Sequence, residues 1–446
     1  MLKYEYRNLL QNPLINCGIS ASQVEEWQNN ILEAHQDIQK DRKQDILGFY
    51  ELPAKDSSHI TSFLSALPKH FDTMVVLGIG GSALGNKALY SALKTERQLP
   101  RKLWVYDNVD PVFLTEILQN INLETTLFNV ITKSGTTAET MAAYMILTDL
   151  LKKKFPADYA KRLIITTDQE KGFLRQVIGK EGYTSFIVPD NVGGRFSVLT
   201  DVGLVSSAFC GMDISALLKG AGAMAIRCEN TDVWQNPAYL NALLHILLYH
   251  QGKNISVMMP YSNSLYDFAD WYRQLWAESL GKRFDRQGRE IFVGQTPVKA
   301  LGTTDQHSQV QLYAEGPNDK IFTFLTVENF VHDFTIPDLH PDREEVAYLG
   351  NKKLSTLLNT ERLATEIALS RAGRPNANIL FPQLDEFSLG EFIMMYEIQT
   401  VFAGKLLNID PLDQPGVEAG KIATYAMMGK KGFEKELKEI NDYLGV

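Results

Sequence analysis

Glu278 stands late in an apolar helical stretch, QLWAESLGK (Gln274 to Lys282), beside Leu275 and Trp276 and just before Gly281. A carboxylate among apolar neighbours can serve as a general base near neutral pH. A glutamate on a helix surface is the plainer alternative. His307, in GTTDQHSQ, follows polar turn residues near a helix start, where imidazole can exchange protons around neutrality or simply bond the backbone. Arg195 follows two glycines in DNVGGRFS, so a hinge presents a permanently charged fork of donors suited to a carboxylate, a phosphate or an enediolate oxygen. The alternative there is a surface ion pair. In DQPGVEAGK, Gln414 lies near a helix start, and Glu418 and Lys421 are three apart on one face, where they can also form a simple ion pair.

Two further stretches read as anion sites. FNVITKSGTTAET (Phe128 to Thr140) is a strand, then a hydroxyl-rich turn, then a helix beginning at Ala138. Thr132, Lys133, Ser134 and Thr137 surround the free N–H groups of that helix, a cradle sized for one phosphate. An ordinary N-capped helix would use similar residues. GIGGSALG (Gly78 to Gly85) follows an earlier strand and fits G-x-G-x-x-A, with Asp107 ending the next strand where a ribose-binding acid would sit. A nicotinamide or flavin site therefore stands as one reading. Ser82 at the helix start, with a second hydroxyl-bearing loop two strands later, fits a sugar monophosphate better.

The elements that must position these groups form two α/β blocks. Strands at Met74 to Gly78, Lys102 to Asp107, Phe128 to Thr132, Arg162 to Thr167 and Thr184 to Pro189 alternate with helices. That alternation predicts a parallel sheet covered on both faces, with ligands beyond the carboxyl ends of its strands. A helical stretch spans about 199–251. A second block then offers strands at Asn254 to Pro260, Lys320 to Val327 and Asn378 to Pro382. Residues up to about Lys69 read as a helical cover, with Ser22 and Glu25 as a capping box. The tail after Val417 reads as helix, glycine break, helix.

The 446 residues, 45% hydrophobic and 22% charged, are those of a soluble globular protein, and the net charge of -9 argues against a nucleic-acid partner. Cys17, Cys210 and Cys228 form no CxxC, and no histidine spacing resembles a metal site. MLKYEYRNLL has charges where a signal peptide needs an apolar core, and no apolar run reaches a membrane span. The expectation is a cytoplasmic enzyme without membrane contact.

Taken together, the motifs GIGGSALG, TKSGTT, DNVGGRFSVLTDVG, ESLGK, TTDQHS and GKLLNIDPLDQPGVEAGK stand in an order and spacing that resembles the glucose-6-phosphate isomerase (phosphoglucose isomerase) family, in its shorter bacterial form. The resemblance covers about Thr73 to Lys421. Leu412 replaces a usual aromatic, Pro415 stands where longer relatives carry tryptophan, and Thr132 stands where many have serine; no chemical group is lost. The resemblance implies two sugar-isomerase (SIS-type) α/β subdomains, each a parallel sheet of about five strands flanked by helices, at 70–212 and 213–410. A helical N-terminal segment (1–69) and a C-terminal helical tail (411–446) flank them. It implies reversible isomerisation of glucose 6-phosphate to fructose 6-phosphate, in glycolysis and gluconeogenesis, through ring opening and an enediolate. Glu278 would move the proton, Arg195 would stabilise the enediolate, and His307 and Lys421 would open the ring. Gly81, Ser82, Thr132, Lys133, Ser134, Thr137 and Gln414 would bind substrate. No cofactor and no metal are implied, and His307 would be shared across a homodimer. A non-catalytic sugar-phosphate sensor on this fold could dispense with Glu278 or His307; both are present.

Overall fold

The computed structural model describes residues 1–12 and 18–445. Cys17 lies outside the described residues. Strand β1 (Lys3–Glu5) opens the chain. The first block supplies β2 (Thr73–Leu77), β3 (Lys102–Tyr106), β4 (Thr126–Ile131), β5 (Leu163–Thr167) and β6 (Thr184–Ile187). They form an all-parallel sheet in the order β3-β2-β4-β5-β6. Every residue of β2, β4 and β5 is buried, which is why they read as unbroken apolar runs: helices cover both faces. The chain steps from β2 out to β3, then returns across β2 to β4. The order therefore reverses between β2 and β4, and a crevice opens there at the carboxyl ends. Leu77 pairs with Val130 at that end. The loop from Gly78 and the turn from Thr132 leave the sheet side by side.

The second block contributes β7 (Ile255–Pro260), β8 (Lys282–Phe284), β9 (Glu290–Val293), β10 (Thr296–Lys299), β11 (Lys320–Asn329) and β12 (Asn376–Gln383). Its sheet runs β1-β12-β11-β7-β10, and β8-β9 make a separate hairpin. The strands β8, β9 and β10 are not among the expected ones, and the N-terminal segment and its capping box also differ from the sequence expectation. The N-terminal segment is not helical throughout: β1 pairs antiparallel with β12 at the sheet edge. Three residues are too few for an alternation pattern to show. The capping box also lies earlier, with Ser20 and Gln23 exchanging bonds at the start of Ala21–Glu26.

The helix Glu386–Leu406 runs through the centre, with eighteen of its residues buried, and packs on helices Gln28–Lys43, Ile214–Arg227, Pro237–His250 and Tyr266–Leu280. Tyr266–Leu280 ties the blocks together, because it packs on β7 and β10 and also on Leu84–Leu93, the helix after the Gly78 loop. Its buried residues Phe268, Trp271, Tyr272, Leu275, Trp276 and Ser279 recur at helical spacing and leave Glu278 on the margin of the buried face. Among the described residues no helix is long and apolar enough to cross a membrane.

Candidate active site

The β2–β4 crevice holds a cavity of about 500 Å³ lined by Gly81, Ser82, Thr132, Lys133, Ser134, Thr137, Gly194 and Gln414, among others. Three hydroxyls meet on one wall: Thr132 Oγ1 lies 2.8 Å from Thr137 Oγ1, and Ser134 Oγ lies 3.4 and 3.2 Å from the two. Thr137 precedes the Ala138–Lys154 helix without capping it through its side chain. The first-turn N–H groups are thus left for an anion. Gly135 turns the chain at φ +65, a conformation that disfavours a side chain.

Lys133 lines the cavity and also ties down a neighbouring loop. Its ammonium donates to the Asp190 and Val192 carbonyls at 2.7 and 3.2 Å, and burial lowers its pKa. It braces the loop that leads to Arg195. Asp168 also faces the cavity, with its pKa lowered to about 2 by the Glu170 and Lys171 backbone N–H groups that its carboxylate accepts.

Gly81 couples the two loops. A Cβ there would sit 2.1 Å from the Gly194 carbonyl oxygen, so only glycine lets the Ser82 loop lie against the Arg195 loop. Arg195 is 4% exposed, and every donor nitrogen is engaged. Nε donates to Ser279 Oγ at 2.7 Å. Nη1 donates to Gln414 Oε1 at 2.7 Å and faces Glu278 Oε2 at 3.5 Å. Nη2 donates to the Pro411 and Asp413 carbonyls at 2.6 and 3.1 Å. Burial lowers its pKa while Glu278, Asp413 and Asp410 raise it, and guanidinium stays charged. Glu278 is half-buried, and its Oε1 accepts from Gln274 Nε2 at 3.2 Å.

Arg195, Glu278, Gln414 and the hydroxyl cavity are therefore assembled within one chain. Among the described residues, His307 and Lys421 make no hydrogen bond or ion pair to this group. Lys421 lies on the exposed Glu418–Met427 helix and pairs with Glu418 at 2.7 Å. His307 is exposed on the short turn Thr304–His307. Its neighbour Gln306 donates to Tyr261 at 2.6 Å, at the carboxyl end of β7, and Lys299 at the end of β10 pairs with Asp270 at 3.1 Å near the start of the Tyr266–Leu280 helix. Glu278 lies in the last turn of that helix, about 12 Å along its axis from Asp270.

Asp107, the acid of the dinucleotide reading, is held by Lys87 at 2.5 Å, and the cleft between Gly78 and Asp107 measures about 10 Å³, too small for a nucleoside. Ser279, Gln274, Lys282 and residues 410–413, which support Arg195 and Glu278, are not among the residues expected from the sequence. A lysine directly after the helix-ending Gly281 was the available signal for one of them.

Known proteins agree with this architecture. A family model described as phosphoglucose isomerase matches residues 60–441. A glucose-6-phosphate isomerase of Carboxydothermus hydrogenoformans is 44% identical over 98% of this chain and 97% of its own. One of Rubrobacter xylanophilus is 41% identical, over 96% and 98%. A hypothetical protein of Thermus thermophilus superposes with a TM-score of 0.88 at 34% identity, covering 96% of this chain and all of its own. A solved glucose-6-phosphate isomerase of Chlamydia trachomatis, at 23% identity and TM-score 0.85 over 99% of this chain and 92% of its own, shares the fold. With a family model spanning most of its length and full-length relatives above 40% identity, the chain belongs to the phosphoglucose isomerase family.

Proposed function

We infer that the protein interconverts glucose 6-phosphate and fructose 6-phosphate as an aldose–ketose isomerase. One observation carries the reading. Gln414 both lines the hydroxyl cavity and accepts from Arg195, whose same Nη1 faces Glu278. A phosphate cradle and a carboxylate–guanidinium pair are thereby joined by a single run of contacts.

Ser82, Thr132, Ser134, Thr137 and the helix N-terminus grip the phosphate, with Gly81 and Lys133 shaping the loops around it. Glu278 takes the C2 proton of the open-chain aldose. The C–H electron pair forms the C1–C2 double bond, and the carbonyl pair moves onto O1. Arg195 Nη1 stabilises the resulting enediolate, an electrostatic contribution worth about 10²–10³ in rate for one well-placed donor. Glu278 returns the proton to C1 as the O2–H bond pair becomes the O2 carbonyl, and the O2 hydroxyl proton passes to O1, which ends as the ketose hydroxyl. The exchange is redox-neutral and balances without a cofactor.

His307 and Lys421 open the sugar ring by moving protons at its oxygens. A neighbouring subunit supplies His307 in a homodimer. This reading is supported by the exposed apolar side chains Phe334 (73%), Leu339 (72%) and Tyr348 (63%), which a second copy would cover. We place the enzyme in the cytoplasm, where thiols such as the free Cys210 and Cys228 stay reduced. We place the subdomain limits at 70–212 and 213–410, each holding one sheet's parallel strands, with β1 of the N-terminal segment added to the edge of the second sheet.

The test is to mix purified protein, treated with chelator, with fructose 6-phosphate and follow glucose 6-phosphate by NMR. Accumulation to an equilibrium mixture is expected; no conversion overturns the reading.

A further inference from the structure

We propose that Lys282 is a positioning residue for the isomerisation, holding the Glu278-bearing helix end against the strap that carries Gln414. The proposal deepens the isomerase reading and rests on it.

Lys282 is 8% exposed, unusual for a lysine, and its ammonium is fully engaged. It donates to the Glu278 and Ser279 carbonyls at 2.7 and 2.9 Å. These are carbonyls that the end of Tyr266–Leu280 leaves without intrahelical donors. It also donates to the Asp413 carbonyl at 3.1 Å and pairs with the Asp413 carboxylate at 3.5 Å. Asp413 O is the same oxygen that accepts Arg195 Nη2 at 3.1 Å.

Two buried cations thus share one carbonyl, and the sharing sets the geometry. Arg195 spans Ser279 on the helix and Pro411, Asp413 and Gln414 on the strap. Lys282 spans Glu278 and Ser279 on the same helix and Asp413 on the same strap. Without Lys282, the helix end would be tied to the strap through the Arg195 contact with Ser279 Oγ and its own strap bonds. With both, the Glu278 carboxylate keeps one distance from Arg195 Nη1. The arrangement brings like charges together: burial lowers the Lys282 pKa, and Arg195 lowers it further. A methionine would pack in the same volume without that repulsion, so packing alone does not call for the charge. Lys282 lines no part of the phosphate cavity, so its effect falls on the chemical step rather than on phosphate binding.

The experiment compares Lys282→Met and Lys282→Arg with the unaltered chain, measuring kcat, KM and the fraction of the transferred proton exchanged with deuterated solvent. Loss of kcat by about 100-fold is expected in Lys282→Met, the scale of a misplacement near 1 Å, with KM within about twofold and increased solvent exchange as the carboxylate loosens. Lys282→Arg should recover at least about tenfold of the lost kcat, because it restores a charge that can reach the same carbonyls. Unchanged kcat, or a parallel rise in KM with unchanged exchange, overturns the proposal. If Lys282→Met does not fold by near-ultraviolet circular dichroism, Lys282→Gln is measured by the same criteria. An unaltered chain without isomerase activity would instead refute the isomerase reading itself.

Discussion

Arg195 Nη1 donates to Gln414 Oε1 at 2.7 Å across a sequence separation of 219 residues. That bond joins the turn that follows β6 to the strap that opens the tail. A second Nη1 contact, to Glu278 at 3.5 Å, is the looser of the pair and is the one an enediolate oxygen can replace.

Glu278→Gln keeps shape and the Gln274 contact but removes the base. Turnover should fall by about 10³-fold or more, within the range of a general base, while a sugar phosphate still binds with near-native affinity. Steady-state rates and calorimetric binding check the two halves separately. Retained turnover would refute the assignment.

Thr132→Val is nearly isosteric but deletes a hydroxyl from the cradle. KM should rise about tenfold, one lost hydrogen bond to a charged group, with kcat within about threefold. Lys133→Met should act differently, because its ammonium holds the 190–192 carbonyls. It should lower kcat and thermal stability together through Arg195.

Gly81→Ala places a Cβ 2.1 Å from the Gly194 oxygen, so one of the two loops must move. Destabilisation of about 1–3 kcal/mol is expected from the overpacking. Displacement of Arg195 should reduce kcat at least about tenfold as well. Denaturant titration and kinetics read both effects.

A shared histidine can be detected by mixing. Glu278→Gln and His307→Ala chains, each inactive alone, should regain activity when unfolded and refolded together, since one of the two sites in a mixed dimer is then complete. Activity that never rises above that of the separate chains would place His307 with its own Glu278.

Two buried groups set opposing pH slopes. His245 donates through Nδ1 to the Asn241 carbonyl at 2.9 Å, and burial depresses its pKa to about 4. The unfolded chain takes up this proton near pH 6.5 and the folded chain does not. Stability is therefore undiminished above pH 6.5 and lost as pH falls towards 4, by roughly 3 kcal/mol. Glu397 has neither carboxylate oxygen hydrogen-bonded, and burial raises its pKa well above the usual value. Its contribution is intact below about pH 4.5 and lost as pH rises. Urea midpoints across pH 4–8 should show the acid loss vanish in His245→Phe. In Glu397→Met, stability at pH 7–8 should rise by about 1–3 kcal/mol, and the gain should shrink towards pH 4.5. A Glu397→Met gain independent of pH would count against this titration.

Much of the cradle was legible in the chain because it is local. Strand, turn and helix lie within Phe128 to Thr140, and the strand spans, turn residues and helix start need only near neighbours to form. β1 and β10 were missed because three or four residues carry no periodicity, and their pairing is decided by a strand elsewhere. Lys133 shows the limit most plainly. Its type says cation near an anion site, yet its ammonium is directed by the carbonyls of Asp190 and Val192, which only folding brings near.

By itself the sequence determined the family, the two α/β blocks and the candidate groups for the chemistry, since these rest on residue types and short-range pattern. Tertiary structure alone decided which of them meet. Arg195, Glu278, Lys282 and Gln414 converge because a helix of the second block packs on the helix behind the Gly78 loop, while Gln306 ties the turn that carries His307 to Tyr261 at the end of β7. Such convergence depends on where rigid elements end after their apolar faces are buried, a long-range consequence of packing that no local pattern records.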